Sequence, residues 1–359
     1  MKAGFATDDS PRVVFPTVTG RRLFSIGMVG MGEKDCYIGH EALTLRKQKA
    51  LTLSYPIDNG IVTNWDDVER IWMDIYSHEL KVDPEDHPLL LTESPLNTKY
   101  NRERSIQIGF ETFEAPAVFL SQQAALSLYR SGSTTGVVLD SGEGMTHAVP
   151  VYEGHALLHA VESLNLAGGS ISSILSRTLS EKGYEFIDLQ LMEIINDMKK
   201  KLYSVSLNFE QESRDKSSSF EKAFQLPDGQ TIMIGTERIR TPEILFQPKI
   251  NGLEDVGIHE KLYSSVMKCN VDIQNELFSN ICLSGGTTMF PGFADRLRKE
   301  VTDLIPSSTN INVFAPPERD LSAWIGGSIF ASHSSFQKMC ITKKDFDEAG
   351  PSLVHRLCF

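Results

Sequence analysis

The chain has 359 residues, 41% of them hydrophobic and 23% charged, enough for about two globular domains and outside the composition of disordered, collagen-like or coiled-coil chains. Its 35 Lys and Arg against 47 Asp and Glu give a net charge of −12, so its field repels nucleic-acid backbones and anionic lipid, and neither nucleic acid nor membrane is expected as a direct partner. No apolar run reaches the length of about 18 residues that a membrane span needs, and Asp8 and Asp9 fall where a signal peptide carries its apolar stretch, so the expectation is a soluble chain not exported by a conventional signal.

The first ~60 residues read as short strands and turns. Within them, Ile26-Gly27-Met28-Val29-Gly30-Met31-Gly32 has neither a helical nor a strand period and reads as a mobile surface loop. From Asn64 the pattern becomes helical: Asn64 is a capping residue, and Val68, Ile71, Trp72 and Ile75 recur at three and four. Pro88 to Glu93 predicts a short buried strand, residues 101–113 and 121–129 helices, and Thr135 to Asp140 another buried strand. The alternation of strand and helix points to an α/β fold. A second round follows. Val149 to Tyr152 predicts a strand, 171–182 and 188–203 helices, 213–219 a polar loop, and 223–234 a hairpin around Asp228-Gly229. A helix at 272–279 then precedes the strand Asn280-Ile281-Cys282-Leu283. The cysteines, Cys36, Cys269, Cys282, Cys340 and Cys358, are odd in number and include no C-x-x-C. Neither a disulfide framework nor a zinc site is expected, and a reducing cytosol or nucleus is.

Twice a buried apolar strand runs straight into a glycine turn: Leu139-Asp140-Ser141-Gly142-Glu143-Gly144-Met145, and Leu283-Ser284-Gly285-Gly286-Thr287-Thr288. Glycines let successive N–H groups converge on phosphate oxygens, and a following helix would add its positive end. A carboxylate at a strand end, Asp140, is placed to hold the waters of a Mg²⁺. A single D-x-G-x-G is more simply a tight turn without a ligand. Two such turns, about a domain apart, favour a nucleotide site between two related halves. Neither is a Walker A loop or a dinucleotide fingerprint.

These residues carry a resemblance along almost the whole chain. Lys2-Ala3-Gly4-Phe5-Ala6, Val29-Gly30-Met31-Gly32, Gly60 to Asp67, Leu283 to Met289, Ala315-Pro316-Pro317-Glu318-Arg319, Trp324 to Ile329, and His355-Arg356 with Cys358-Phe359 together resemble actin. The resemblance implies the actin/Hsp70/sugar-kinase ATPase fold: two similar α/β domains around Mg·ATP or Mg·ADP, four subdomains, and assembly into filaments. It implies an outer domain at 1–130 plus 322–359 with a subdomain inserted at 17–55, and an inner domain at 131–321 with one inserted at 167–253. It places Asp140 on the metal through water, and Gln123 and His147 beside the attacking water. Ser141, Gly142, Glu143 and Gly144 match the phosphate turn, Lys2 a lysine on the phosphates, Lys199 a residue beside the adenine, and Gly285, Gly286 and Thr287 the turn over the nucleotide. Positioning and charge stabilisation are most of what phosphoryl transfer asks of a protein.

The same comparison exposes departures. A strand and a D-x-G-S-G turn precede the matched lysine in the family and are not in this sequence. Glu143 stands for an aspartate, Asn196 and Lys200 for an arginine and a glutamate near base and ribose, Asp320 for a lysine over the adenine, Asn59 for a histidine, and Asn165 and Gly169 for an aspartate and an arginine. Losing two or three charge-assisted hydrogen bonds at roughly 1.5–3 kcal/mol each weakens ATP by about 3–9 kcal/mol, some two to six decades, and lowers hydrolysis with it. Alone, Lys199-Lys200-Lys201 reads as a solvated helix face, and His147 equally as a core histidine. The implied partners are actin-like subunits, docking through Gly27 to Gly32, Gln247-Pro248 and the Ile250-Asn251 loop, and actin-binding helices in a groove lined by Tyr129, Gly132, Ile329 and Met339. Arg130, His155, Phe330 and His333 change that groove's charge and volume. The expectation is a cytoplasmic, cytoskeletal filament or filament-associated subunit. Two alternatives stay open: a nucleotide-poor scaffold subunit of a complex, and an active ATPase whose first segment is missing from this sequence.

Overall fold

The computed structural model describes residues 1–22, 34–184, 188–214, 221–226 and 229–358. The Gly27 to Gly32 loop, with Leu23, Phe24 and Ile26 before it, and Asp228 of the hairpin turn lie outside them. The chain divides into two compact units, Met1–Leu126 with Ala323–Phe359, and Ser127–Ser322.

In the first unit, the strand Leu89–Glu93 runs parallel to Ala117–Gln122, which pairs on its other edge with Ile341–Thr342. Helix Lys99–Glu111 packs on this sheet through Ile106 and Phe110, both 0% exposed, and Phe110 stacks on Phe346 with centroids 4.7 Å apart. Burying each such side chain contributes about 1.5–3 kcal/mol. Sequence periodicity starts a helix at Ser121, and here the structure differs. Ser121 and Gln122 pair in register with Thr92 and Glu93, and the helix opens only at Gln123. A parallel ladder that needs both edges satisfied outweighs a local pattern.

Helix Trp65–Asp74 begins where Asn64 predicts it, with the Asn64 side chain accepting from the Asp67 N–H at 3.2 Å. Val68 and Ile71 are fully buried, and a π-helical turn, Ile75–Leu80, extends the element to Lys81, whose φ of 57° ends it. Just before it, Ile57–Asp58 and Ile61–Val62 form a hairpin whose two turn residues, Asn59 at φ 50° and Gly60 at φ 80°, are both left-handed. Asn-Gly is the pair best suited to that turn. A smaller sheet of Thr19–Arg22, Tyr37–Ile38 and Leu51–Ser54 has its own core of Val18, Tyr37, Ala42 and Leu51.

The second unit is built on a larger sheet, in the order His155–Ala156, Thr146–Tyr152, Gly136–Ser141, Ile281–Ser284, Val313–Phe314, with Glu162–Leu164 also on Thr146–Tyr152. The central pair, 136–141 and 281–284, is parallel. Its unbroken run Val137-Val138-Leu139 is 0% exposed, as expected of a strand covered on both faces. The covering helices include Gly168–Glu181, Ile258–Met267, Val271–Ser279 and Phe293–Leu304, which contribute Ile171, Leu175, Leu262, Val266, Leu277, Phe293 and Leu297 to one core. The 223–234 hairpin appears as Lys222–Gln225 on Thr231–Ile234. Ser213, read as loop, belongs to helix Phe209–Arg214, while 215–219 lie outside the described residues. Among the described residues no helix is long and apolar enough to cross a membrane.

Candidate functional site

The register of the central sheet places the sequence candidates. Asp140 pairs across to His147 on one side and to Ser284 on the other. Both glycine turns therefore leave the carboxyl ends of adjacent parallel strands, where ligands of open α/β sheets bind.

The first turn reverses the chain from 136–141 into the antiparallel strand 146–152, so no helix follows it in sequence and the helix end expected there has to come from elsewhere. It comes from helix Gly168–Glu181. The Gly168 N–H donates to Gly142 O at 3.0 Å and the Gly169 N–H to Glu143 O at 2.7 Å, while Thr287 Oγ1 donates to Gly142 O at 2.7 Å. The Ser141 hydroxyl lies 2.7 Å from that of Thr146, which donates on to Leu166 O at 2.5 Å. With the turn's carbonyls held back, the Glu143 and Gly144 N–H groups make no backbone hydrogen bond among the described residues. A Cβ added at Gly142 would find no heavy atom within 4 Å.

The second turn is tight on one side and open on the other. Gly285 has φ 88°, and a Cβ there would lie 2.2 Å from Ser141 O and 2.8 Å from Asp140 Oδ1. Only glycine fits both the backbone and the space. At the next position, Gly286, a Cβ would again meet nothing within 4 Å. Thr288 closes the turn, its N–H and hydroxyl both donating to Gly285 O at 3.2 and 2.8 Å. The Gly285 N–H donates to Arg319 O at 3.0 Å. The Arg319 guanidinium donates to Thr288 O at 2.6 Å and Pro316 O at 3.1 Å. Arg319 was visible in sequence only as part of a matched segment, since nothing local shows which carbonyls a lone arginine will reach.

His147 is 8% exposed, with Nδ1 2.9 Å from Ser163 Oγ. Burial pushes its pKa below the ordinary 6.5, so the ring is mostly neutral at pH 7. Lys199 Nζ donates to Ser172 Oγ at 2.7 Å and Gly168 O at 3.2 Å, with Glu143 Oε2 at 3.8 Å. Burial lowers its pKa against the opposing pull of Glu143. The lysine thus cross-links the helix end that carries the first turn, through Ser172, a residue with no sequence signal.

The remaining candidates are divided between the two units. Lys2 is in strand Lys2–Ala3, which pairs with Val13–Val14, and Gln123 opens helix Gln123–Tyr129; both belong to the first unit. Of the groove residues, Tyr129 and Gly132 belong to the second unit, Ile329 and Met339 to the first. Asn251 Oδ1 accepts from Arg177 Nη2 at 3.3 Å. A cavity of about 390 Å³ is lined by Asn165, Leu166, Leu253, Glu254 and Asp255, and its two carboxylates disfavour phosphate. Among the described residues no cluster of three or more His, Cys, Asp or Glu could hold a metal directly; Asp140 stands at the strand end, a place from which a carboxylate can hold a cation through its waters.

The backbone cradle at Gly142 and Gly286 and the strand-end carboxylate of Asp140 thus fit a metal-bound phosphate. The family model for Actin matches residues 1–359, the whole chain, and its α/β organisation is that of the actin-like ATPase fold: the chain belongs to the actin family.

Proposed function

We propose that this chain is a cytoskeletal actin-type subunit that holds an adenine nucleotide with Mg²⁺ at the two glycine turns and assembles with actin-like subunits. Members of the family generally bind ATP or ADP with a divalent metal. The observation that carries the reading is the pair of turns at the carboxyl ends of adjacent parallel strands, both opening on free space at glycine. Asp140 would hold the metal's waters, and the N–H groups of Glu143, Gly144, Gly286 and Thr287 would face phosphate oxygens. The metal supplies neutralisation of phosphate charge. His147 exchanges a proton with the water that attacks, and by resemblance Gln123 and Lys2 orient that water and the phosphates. Because Lys199 is committed to Ser172 and Gly168, and Asp320 replaces a cation, binding is weaker and hydrolysis slower than in actin.

The test is binding of a fluorescent ATP analogue in Mg²⁺ and after chelation, with Asp140→Ala alongside, followed by co-sedimentation with actin filaments. Saturable, chelator-sensitive binding lost in the variant, and a pelleted fraction that grows with filament concentration, are expected. A folded chain that ignores millimolar nucleotide overturns the nucleotide reading. A nucleotide-poor scaffold subunit is the second reading, favoured by the inward commitment of Lys199; it expects elution in a complex of fixed stoichiometry and no pelleting.

A further inference from the structure

Arg130 follows helix Gln123–Tyr129 and is only 12% exposed. Its Nη1 donates to Glu318 O at 2.6 Å and to Ser322 Oγ at 3.3 Å, and its Nη2 to Glu318 Oε2 at 3.2 Å. The next residue, Arg319, accepts from the Gly285 N–H through its own carbonyl and grips Thr288 through its guanidinium. The 318–322 segment is therefore pinned from two directions, by Arg130 on one side and by the Gly285–Thr288 turn on the other. Gly285 in turn lies so near Ser141 and Asp140 that a Cβ on it would meet Ser141 O and Asp140 Oδ1. A set of hydrogen bonds thus runs from Arg130 to the Gly285–Thr288 turn, which is packed close against the Asp140 strand end.

We infer that Arg130 is a positioning residue for the Gly285–Thr288 turn and, through it, for retention of the nucleotide. The second half rests on the function proposed above; the first does not. The Glu318 carboxylate is 69% exposed, so the ion pair itself contributes little. The weight falls on the charged hydrogen bonds that Nη1 makes to Glu318 O and Ser322 Oγ, which a lysine ammonium on its different stem recovers only in part. The expected order of effect is Arg130→Ala, then Arg130→Lys, then Glu318→Gln.

Hydrogen exchange on the full chain reads this directly. Arg130→Ala raises exchange of the Gly285 amide about tenfold while the 222–234 hairpin is unchanged, Arg130→Lys raises it about threefold, and Glu318→Gln less than about twofold. Val301→Ala, in the same unit and fully buried, lowers the melting temperature without this local change, which separates positioning from general loosening. Release of the fluorescent ATP analogue speeds up in the same order. Unchanged Gly285 exchange in folded Arg130→Ala overturns the inference; should that variant not fold, unchanged exchange in Arg130→Lys overturns it equally. If the wild-type chain holds no nucleotide, the proposed function fails and the exchange result still decides the role of Arg130.

Discussion

Arg296 and Lys199 each meet a glutamate inside the second unit, and the two pairs differ in how far water reaches them. Arg296 donates to both oxygens of Glu243 at 2.7 and 3.0 Å, to Ser206 O at 2.6 Å and to Glu300 at 2.6 Å. Its side chain is 4% exposed and that of Glu243 0%. Lys199 is 11% exposed, but its partner Glu143 is 65% exposed and 3.8 Å away. In the sealed pair no solute can replace either partner, and a second carboxylate, Glu300, shares the Arg296 guanidinium from its outer side. In the open pair the carboxylate is exchangeable, so an anion arriving at the glycine turn competes with Glu143 for the same field. The first arrangement suits a scaffold and the second a binding site.

The contrast is most exposed at Glu243. Replacing it by Ala removes two charged hydrogen bonds from Arg296 and leaves it Glu300 and Ser206 O, and unfolding in urea is expected to show a loss of about 3 kcal/mol. A loss below about 1 kcal/mol would mean that water reaches the pair after all. Lys199→Met removes the bonds to Ser172 and Gly168 O, and a loss of about 1.5–3 kcal/mol is expected, with weaker nucleotide binding because the helix end behind the first turn loosens. A variant equally stable but weaker in binding would show that the lysine serves the ligand alone.

His147 stands between the two pairs in burial. Its folded-state pKa lies below the ordinary 6.5, so the unfolded chain binds the proton more readily. Its contribution to stability is complete above pH 6.5 and is lost as the pH falls from there toward the folded value. Melting temperatures from pH 7 down to pH 5 should fall less steeply in His147→Gln than in the wild type. Equal slopes would place the ring in contact with water.

The smallest stability effect is expected at Glu143→Gln, within about 1 kcal/mol. The same change removes a negative charge from the phosphate turn, so affinity for the ATP analogue should rise about two- to fivefold at low salt and less at high salt. Unchanged affinity at low salt would remove Glu143 from competition with the ligand.

Much of this was legible locally. Asn64 caps its helix because its side chain reaches the N–H three residues on. Asn59-Gly60 turns a hairpin because both residues tolerate positive φ. Val137 to Leu139 and Ile281 to Leu283 form buried strands because unbroken apolar runs suit a sheet covered on both faces. Each of these depends on residues within a few positions of one another. The assignment of Ser121 and Gln122 to a strand, the supply of a helix end to Gly142 by Gly168 and Gly169, the use of Lys199 as a cross-link, and the clamp of Arg130 and Arg319 on the second turn depend on partners far away in the chain. A hydrogen bond is decided by which donor reaches which acceptor, and composition and periodicity say nothing of that until the sheet's register has brought Asp140, His147 and Ser284 into line.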